Sequence, residues 1–353
     1  MTSSNKIKVL IVDDAVFMRN AVAGILEADP DITVADSAKN GVEALEKIRQ
    51  LRPDVVTLDI DMPVMDGLTT LRHIMIRCPV PIVVLSSLFN DGAITFEALR
   101  LGVMDFVPKP SGAVSLDIDK AKQQIIDRVK LACGMNLENM RRVRLSKKWD
   151  AKKRLESLYR FYPLEYIVVI GTTLAGPNTV IRLLSTLSPT IPAAIVVLQE
   201  ISPKIIASYI KEFNEYVPWG IEEAADSIVV EQGMCYIGSD EHSIRIESNK
   251  KGEICLRVGD AAKHPLNLLF SSAADVFHQN TVGILLSGIG DDGAEGFARI
   301  KEASGVTLAK DVRCCVFPNL TDNAIREGVV DMVLDDGKLS DTIESVMEVR
   351  NDK

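Results

Sequence analysis

The chain has 353 residues, of which 47% are hydrophobic and 25% are charged, and its formal net charge is −9. Because one hydrophobic core rarely organises that many residues, the length predicts two domains. The acidic balance argues against general nucleic-acid binding. No apolar run approaches the roughly 20 residues of a membrane helix, and the polar start Met1–Lys6 lacks a signal-peptide pattern. These features predict a cytoplasmic protein without membrane insertion.

Short apolar runs alternate with amphipathic segments over the first half of the chain. The runs have strand length and lie at 7–12, 32–35, 54–58, 81–85 and 105–108. The segments between them show helical periodicity, at 21–29, 41–51, 67–75 and 93–102. Strand–helix alternation predicts a parallel sheet covered on both faces, with functional groups beyond the carboxyl ends of its strands.

Five polar side chains stand at those predicted strand ends. Asp13 and Asp14 follow the first strand, Asp59 the third, Ser86 the fourth and Lys109 the fifth. Three carboxylates placed together repel each other, and a hard cation such as Mg²⁺ relieves the repulsion. The ion would also neutralise an incoming phosphoryl group, whose oxygens Lys109 and Ser86 would contact. The geometry favours Asp59 as the nucleophile, whereas a single aspartate at a strand end is more often a turn or helix cap.

The stretches VDDAVFMR, LDIDMPVMDG, LSS and DFVPKP together resemble a response-regulator receiver domain over residues 7–132. The resemblance implies a flavodoxin-like sheet of order 2-1-3-4-5 and transfer of phosphate from a histidine kinase to Asp59. It implies that Asp13 and Asp14 bind the cation. It also implies that Ser86 and Lys109 contact the phosphoryl oxygens. It further implies that Phe106 is the aromatic switch residue and that the Lys109–Pro110 bond is cis.

A basic stretch separates the two halves of the chain. Between Glu138 and Arg160, nine lysines and arginines stand against three acids, a net charge of +6 that leaves −15 for the remainder. The stretch predicts a helical linker at 133–163, between domains at 1–132 and 164–353. Such a linker is usually a solvated helix, and binding to an acidic partner surface is the alternative.

A second α/β pattern begins near Tyr166, with apolar runs at 166–171, 193–199 and 281–288. The first run leads into GTTLAG, a tight turn of small residues in the place where hydrolases carry a nucleophile. Its glycines, Gly171 and Gly176, fit neither a P-loop nor a dinucleotide-binding turn. The hydroxyls available in the turn are those of Thr172 and Thr173.

Several stretches within 166–335 resemble, in order, the C-terminal domain of the chemotaxis protein-glutamate methylesterase (CheB) family; they are VVIGTTLAGP, VVLQEISP, EAADSIVVEQGMCYIG, HPLNLLFSSAA, GILLSGIGDDGAEG and AIREGVVDMVL. The resemblance implies a doubly wound α/β domain. The family hydrolyses glutamyl methyl esters of chemoreceptors, and deamidates some of their glutamines, with a Ser-His-Asp triad.

Only one member of that triad is retained in this sequence. Thr173 stands where the family has serine and Glu200 where it has histidine, while Asp292 matches the aspartate. A threonine hydroxyl is hindered, and a glutamate is a weak base at neutral pH that cannot donate a hydrogen bond to the aspartate. Loss of serine or histidine from such a triad costs on the order of 10⁶ in turnover. His242 and His264 match family histidines beside the cleft and not the triad base.

These patterns predict a two-component response regulator that a CheA-like histidine kinase phosphorylates at Asp59. Its effector domain is expected to be inactive and to act by phosphorylation-gated binding to a chemoreceptor or another signalling protein. The alternative is an active methylesterase and glutamine deamidase with an unusual Thr173, Glu200 and Asp292 site. Transcriptional control is disfavoured, because the second half shows no helix-turn-helix pattern.

Overall fold

The computed structural model describes residues 6–86, 92–110, 116–140, 143, 145 and 163–351, with side chains described except at 116–120 and 349–351. The chain divides into two compact units, Met1–Arg142 and Val143–Lys353. Each unit has a parallel sheet of its own. No described helix is both long enough and apolar enough to cross a bilayer.

The first unit has five parallel strands in the order 2-1-3-4-5, which confirms the predicted receiver-type topology. Its strands are β1 (Ile7–Val12), β2 (Ile32–Ala38), β3 (Val55–Leu58), β4 (Ile82–Ser86) and β5 (Asp105–Pro108). Its helices are α1 (Val16–Glu27), α2 (Gly41–Leu51), α3 (Gly67–Arg77), α4 (Gly92–Leu101) and α5 (Leu116–Cys133). A 3₁₀ turn follows at Leu137–Asn139.

Helix α1 begins five residues earlier than the predicted segment at 21–29. Its first turn exposes two large apolar side chains, Val16 at 61% and Phe17 at 72%. Apolar periodicity locates a helix by its buried face. The exposed first turn therefore gave no periodic signal.

The second unit has a seven-stranded parallel sheet of order β14-β13-β12-β6-β7-β9-β8, beside an antiparallel hairpin of β10 and β11. Its strands are β6 (Tyr166–Thr172), β7 (Ala193–Gln199), β8 (Gly220–Glu223), β9 (Met234–Ser239), β10 (Ser243–Ser248), β11 (Ile254–Gly259), β12 (Thr281–Leu285), β13 (Val306–Lys310) and β14 (Met332–Leu334). Its helices are α6 (Gly176–Thr186), α7 (Pro203–Phe213), α8 (Pro265–Phe277), α9 (Ala294–Glu302), α10 (Asn319–Arg326) and α11 (Leu339–Asn351).

Strand order reverses between β1 and β3 in the first unit and between β6 and β12 in the second. At such a point the connections leave to opposite sides, so a crevice opens beyond the carboxyl ends of the two strands. Asp13 and Asp59 follow β1 and β3, and Thr173 follows β6. Strand order therefore places both groups of candidate residues at crevices.

The predicted linker at 133–163 lies mostly outside the described residues. Its first part belongs to the first unit, where Met140 is 8% exposed and lies against Gly102. The basic residues from Arg141 to Arg160 lie outside the described chain.

Candidate functional site

An acidic pocket lies at the crevice of the first unit. Carboxylate oxygens of Asp13, Asp14 and Asp59 lie within 4.8 Å of one another, and no other described group of acidic, histidine or cysteine side chains meets the same condition. Asp13 and Asp59 are buried and Asp14 is exposed. A cluster of carboxylate oxygens open to solvent on one side suits a hard divalent cation. The donor set therefore fits the predicted Mg²⁺.

Lys109 bridges the two buried carboxylates. Its Nζ lies 2.7 Å from Oδ2 of Asp13 and 2.7 Å from Oδ2 of Asp59. Burial by itself would lower the pKa of Lys109, but the hydrogen bonds to the two aspartates outweigh it, and the pKa lies above its usual value. The lysine is thus held as a cation at the point where a phosphoryl group would arrive.

Burial shifts the pKa of Asp59 in the opposite direction from that of Lys109. Burial raises the pKa of its carboxyl group above the ordinary value, although the hydrogen bond and charge of Lys109 act in the other direction. A bound cation would favour the ionised form of this carboxyl group.

Backbone hydrogen bonds between neighbouring segments position these side chains. The Asp59 amide donates to the Val12 carbonyl (2.8 Å), and the Lys109 amide donates to the Ser86 carbonyl (3.2 Å). Gly67 opens α3 so close to the site that a Cβ there would stand 2.2 Å from the Asp59 carbonyl oxygen. The glycine of LDIDMPVMDG is therefore a steric requirement of the loop that follows Asp59.

Ser86 and Phe106 lie on the adjacent strands β4 and β5. Both are buried, at 4% and 7% exposure, and Phe106 pairs in register with Val84. No described peptide bond is cis, so the expected cis bond between Lys109 and Pro110 is wrong. The trans form is the intrinsically preferred one even before proline.

A cavity of about 350 Å³ lies at the crevice of the second unit. Its lining comprises Thr172, Thr173, Asp240, Lys263, His264, Pro265, Leu266, Gly290, Asp291 and Asp292. Two of the three predicted triad positions, Thr173 and Asp292, therefore face one cleft. The described residues that line it do not include Glu200.

The Thr173 hydroxyl is engaged by the backbone of Ile289. It accepts from the Ile289 amide at 2.7 Å and donates to the Ile289 carbonyl at 3.2 Å. Gly288 permits this approach, because a Cβ there would lie 2.5 Å from the threonine Oγ1. A nucleophilic hydroxyl needs its hydrogen directed at a base. Here the hydrogen points to a carbonyl group, which cannot take a proton.

The Asp292 side chain caps the start of α8. Its carboxylate accepts from the amides of Leu266 (2.8 Å) and Asn267 (3.1 Å). Burial raises the pKa of the carboxyl group, and these backbone bonds only partly offset that effect. The structure therefore gives this side chain a capping role whether or not it has a catalytic one.

His264 places a basic group beside Asp292. Its Nδ1 lies 3.9 Å from Oδ1 of Asp292, and the side chain is 37% exposed. Glu200 is half-buried and directly follows Gln199, the fully buried last residue of β7. The contact between Thr173 and Ile289 could not be predicted from the sequence, because it is made by backbone groups, which no residue type marks.

Two protein-family models match the chain. The response regulator receiver domain matches residues 9–118, and the CheB methylesterase matches residues 168–343. Each range contains one of the two crevices, and the predicted linker at 133–163 lies wholly between them.

Curated relatives match the chain over nearly its full length. One is the protein-glutamate methylesterase/protein-glutamine glutaminase of Pyrococcus horikoshii, 34% identical over 356 residues, which covers 98% of this chain and 94% of the relative. Another bears the same name in Caldanaerobacter subterraneus and is 36% identical over 351 residues, with 96% of each chain covered.

Solved structures of the Thermotoga maritima CheB also match. Its methylesterase catalytic domain is 26% identical, with 52% of this chain and 98% of that chain covered and a TM-score of 0.48. Its response regulator domain is 41% identical, with 37% and 98% covered and a TM-score of 0.34. Given the identity and coverage of the curated relatives, the chain belongs to the CheB family, as a chemotaxis response regulator with a receiver domain ahead of a methylesterase domain.

Proposed function

We propose that this chain works in the cytoplasm as a phosphorylation-gated binding protein whose methylesterase domain no longer hydrolyses. A histidine kinase of the CheA type would phosphorylate Asp59 in a receiver domain at 1–132, and a basic linker at 133–163 would join it to the effector domain at 164–353. The observation that carries the proposal is the engagement of the Thr173 hydroxyl by the backbone of Ile289.

The receiver chemistry follows from the acidic pocket. An oxygen of Asp59 attacks the phosphorus of a phosphohistidine, so a P–O bond forms while the P–N bond breaks and the imidazole leaves. Asp13, Asp14 and Asp59 would hold Mg²⁺, which supplies positive charge against the carboxylates and the phosphoryl oxygens. Lys109 donates to the phosphoryl group, and the Ser86 hydroxyl contacts another of its oxygens.

Phosphorylation replaces the carboxylate of Asp59 with a larger, more negative group that draws Lys109 away from its present partners. Ser86 ends β4, the strand next to β3, and Phe106 on the adjacent β5 pairs in register with Val84, two residues before Ser86. We therefore assign Phe106 as the switch residue whose rearrangement reports phosphorylation to the second domain.

Three features of the second domain support binding without hydrolysis. The Thr173 hydrogen points to a carbonyl group, Glu200 is outside the described cleft lining, and Asp292 is occupied in capping α8. The partner would be a chemoreceptor, which is the kind of protein whose glutamates this family modifies, or another signalling protein that docks at the same cleft.

A second candidate function is hydrolysis itself. The relatives are named methylesterases and glutaminases, and Thr173 and Asp292 still share one cleft. In this case Thr173 would attack a glutamyl ester or amide, with Glu200 as the base. That role requires the hydroxyl to leave Ile289 and Glu200 to reach the cleft.

Methanol release from methyl-esterified chemoreceptors separates the two candidates. The purified chain is assayed with and without Mg²⁺ and a small phosphodonor, next to Asp59→Asn, which cannot be phosphorylated. We expect no release in any sample, together with an acyl phosphate in the wild type alone. Release that rises on phosphorylation and disappears in Thr173→Ala would overturn the binding proposal.

Restoring the family residues gives a positive control. The double change Thr173→Ser and Glu200→His supplies a less hindered hydroxyl and an imidazole. We expect it to create release that the natural chain lacks, provided that the cleft still accepts the substrate. Phosphorylation-dependent capture of receptor fragments by the natural chain then tests binding directly.

A further inference from the structure

The side chain of Arg19 turns back from the first turns of α1 toward the acidic segment that precedes the helix. Its Nη1 donates to the carbonyl oxygens of both Asp13 (2.8 Å) and Asp14 (3.0 Å). Hydrogen bonds from a charged donor are stronger than those from a neutral one. One guanidinium therefore fixes two consecutive peptide groups, those that carry two of the three clustered carboxylates.

The three carboxylates are not held equally. Asp13 and Asp59 each pair with Lys109 at 2.7 Å, and Asp13 also accepts from the Ala15 amide at 2.9 Å. Among the described residues, the Asp14 carboxylate has neither a hydrogen-bond nor an ion-pair partner. It nevertheless lies in the cluster with the other two. Its place must come from its backbone, whose carbonyl group Arg19 holds.

The charge of Arg19 would by itself oppose cation binding. No described carboxylate forms an ion pair with this guanidinium, which stands beside the site where a divalent cation would bind. Like charges repel, so its removal should strengthen cation binding if electrostatics alone mattered. Positioning of the carboxylates predicts the opposite sign, because a displaced Asp14 is a lost ligand.

We propose that Arg19 is a positioning residue of the phosphoacceptor site, which keeps Asp13 and Asp14 directed toward Asp59 for a divalent cation. This inference rests on the Mg²⁺ site of the proposed function. Loss of a residue that holds metal ligands in place typically changes metal affinity by about 10-fold to 100-fold. We expect the lower end of that range, since Asp13 keeps its bonds to Lys109 and Ala15.

The test is a calorimetric titration of the full chain with MgCl₂. Arg19→Met removes the charge and both hydrogen bonds at nearly constant side-chain length, and we expect it to weaken binding about tenfold. Arg49→Met, on an exposed position of α2, makes the same change in charge away from the site and should leave the affinity unchanged. Affinity in Arg19→Met that equals or exceeds that of the wild type would overturn the inference.

The outcomes also separate this inference from the proposed function. If the wild-type chain binds no Mg²⁺, the proposed metal site itself is wrong. If the wild type and Arg19→Met bind Mg²⁺ equally well, only the role of Arg19 is wrong. If Arg19→Met fails to fold, as shown by thermal unfolding without metal, Arg19→Gln replaces it. The glutamine loses the charge and is too short to span both carbonyl groups, so the same weakening is expected and tighter binding counts against positioning.

Discussion

At the scale of single residues, the phosphoacceptor site balances burial against charge. Asp13 and Asp59 are each 3% exposed, and one lysine serves both. Desolvation of a carboxylate disfavours its charged form. The raised pKa of Asp59 shows that Lys109 does not compensate fully. Without a cation, ionisation of Asp59 therefore reduces the stability of the receiver domain, although the charged form of Lys109 is favoured.

Asp59→Asn should accordingly stabilise the metal-free protein at neutral pH. Because the folded-state pKa of Asp59 is raised, its stabilising contribution is fully present below the unfolded-chain value of about 3.9 and is lost as the pH rises through the folded value. The gain from the substitution should be largest at pH 7 and should vanish near pH 4. Urea unfolding over that range measures it, and Glu46→Gln, an exposed carboxylate of α2, should show no gain. A variant less stable than the wild type at pH 7 would contradict the argument.

The hydrogen bonds of Thr173 are a second feature of single residues that affects stability. Its hydroxyl closes two hydrogen bonds to Ile289, which lies 116 residues further along the chain. Such a contact stabilises a loop whether or not it once served catalysis. The residue at the nucleophile position thus has a structural role that the alternative activity would have to give up.

Thr173→Ala should lower the free energy of unfolding of the second domain by about 1 kcal/mol, because it leaves the half-buried amide and carbonyl groups of Ile289 to solvent. Thr173→Ser keeps the hydroxyl and should cost less. Urea unfolding followed by the fluorescence of Trp219, which is fully buried in this domain, measures both. Equal losses in the two variants would mean that the methyl group, and not the hydroxyl, is what matters.

At the scale of elements, α8 and α9 cap each other. Asp292, which precedes α9, accepts from two amides at the start of α8. In return, Oδ1 of Asn267 in α8 accepts from the amides of Gly293 (3.0 Å) and Gly296 (2.9 Å) at the start of α9. Neither helix has a side-chain cap from its own first residue. Asp292 is therefore part of the contact at which α8 and α9 cap each other.

Substitutions at this contact should lower the free energy of unfolding, and their effects should be coupled. Asp292→Ala or Asn267→Ala leaves two helix-start amides without an acceptor, and each should cost about 1–2 kcal/mol. The double variant should cost less than the sum, since the pair shares one interface. The same Trp219 unfolding assay applies, with Asp260→Ala, an exposed carboxylate, as the control. Strict additivity would show that the two caps act independently.

At the scale of the whole molecule, the two units should respond separately to a cation. Among the residues that the structure describes, the acidic cluster lies in the first unit alone, and each unit has its own sheet. Scanning calorimetry should show two unfolding transitions, and Mg²⁺ should raise the midpoint temperature of one of them. At 100 times its dissociation constant the ion adds about 2.7 kcal/mol to the stability of the domain that binds it. Asp59→Asn should abolish most of the shift, and an equal shift of both transitions would contradict separate units.

Much of the architecture was predictable from the chain. The runs at 7–12, 105–108 and 193–199 form strands with those bounds, and the 41–51 segment forms α2 as predicted. The strands are recognisable as continuous apolar runs because most of their residues are buried. The helix is recognisable because its buried residues recur on one face. The predictions failed at element ends, as at α1 and at the run 281–288, where β12 ends at Leu285. Apolar composition continues there although the hydrogen-bonded ladder does not.

The sequence by itself determined which residue types reach the two crevices, because strand–helix alternation places strand ends along one edge of a sheet. It located Asp13, Asp59 and Lys109 together, and it identified Thr173 and Glu200 as departures from the family triad. The contacts of those side chains depend on the folded chain. Thr173 bonds to the backbone of Ile289, and Arg19 bonds to the backbone carbonyl groups of Asp13 and Asp14. Every residue possesses such backbone groups and no sequence pattern marks them, so folding alone selects which of them come within hydrogen-bonding distance.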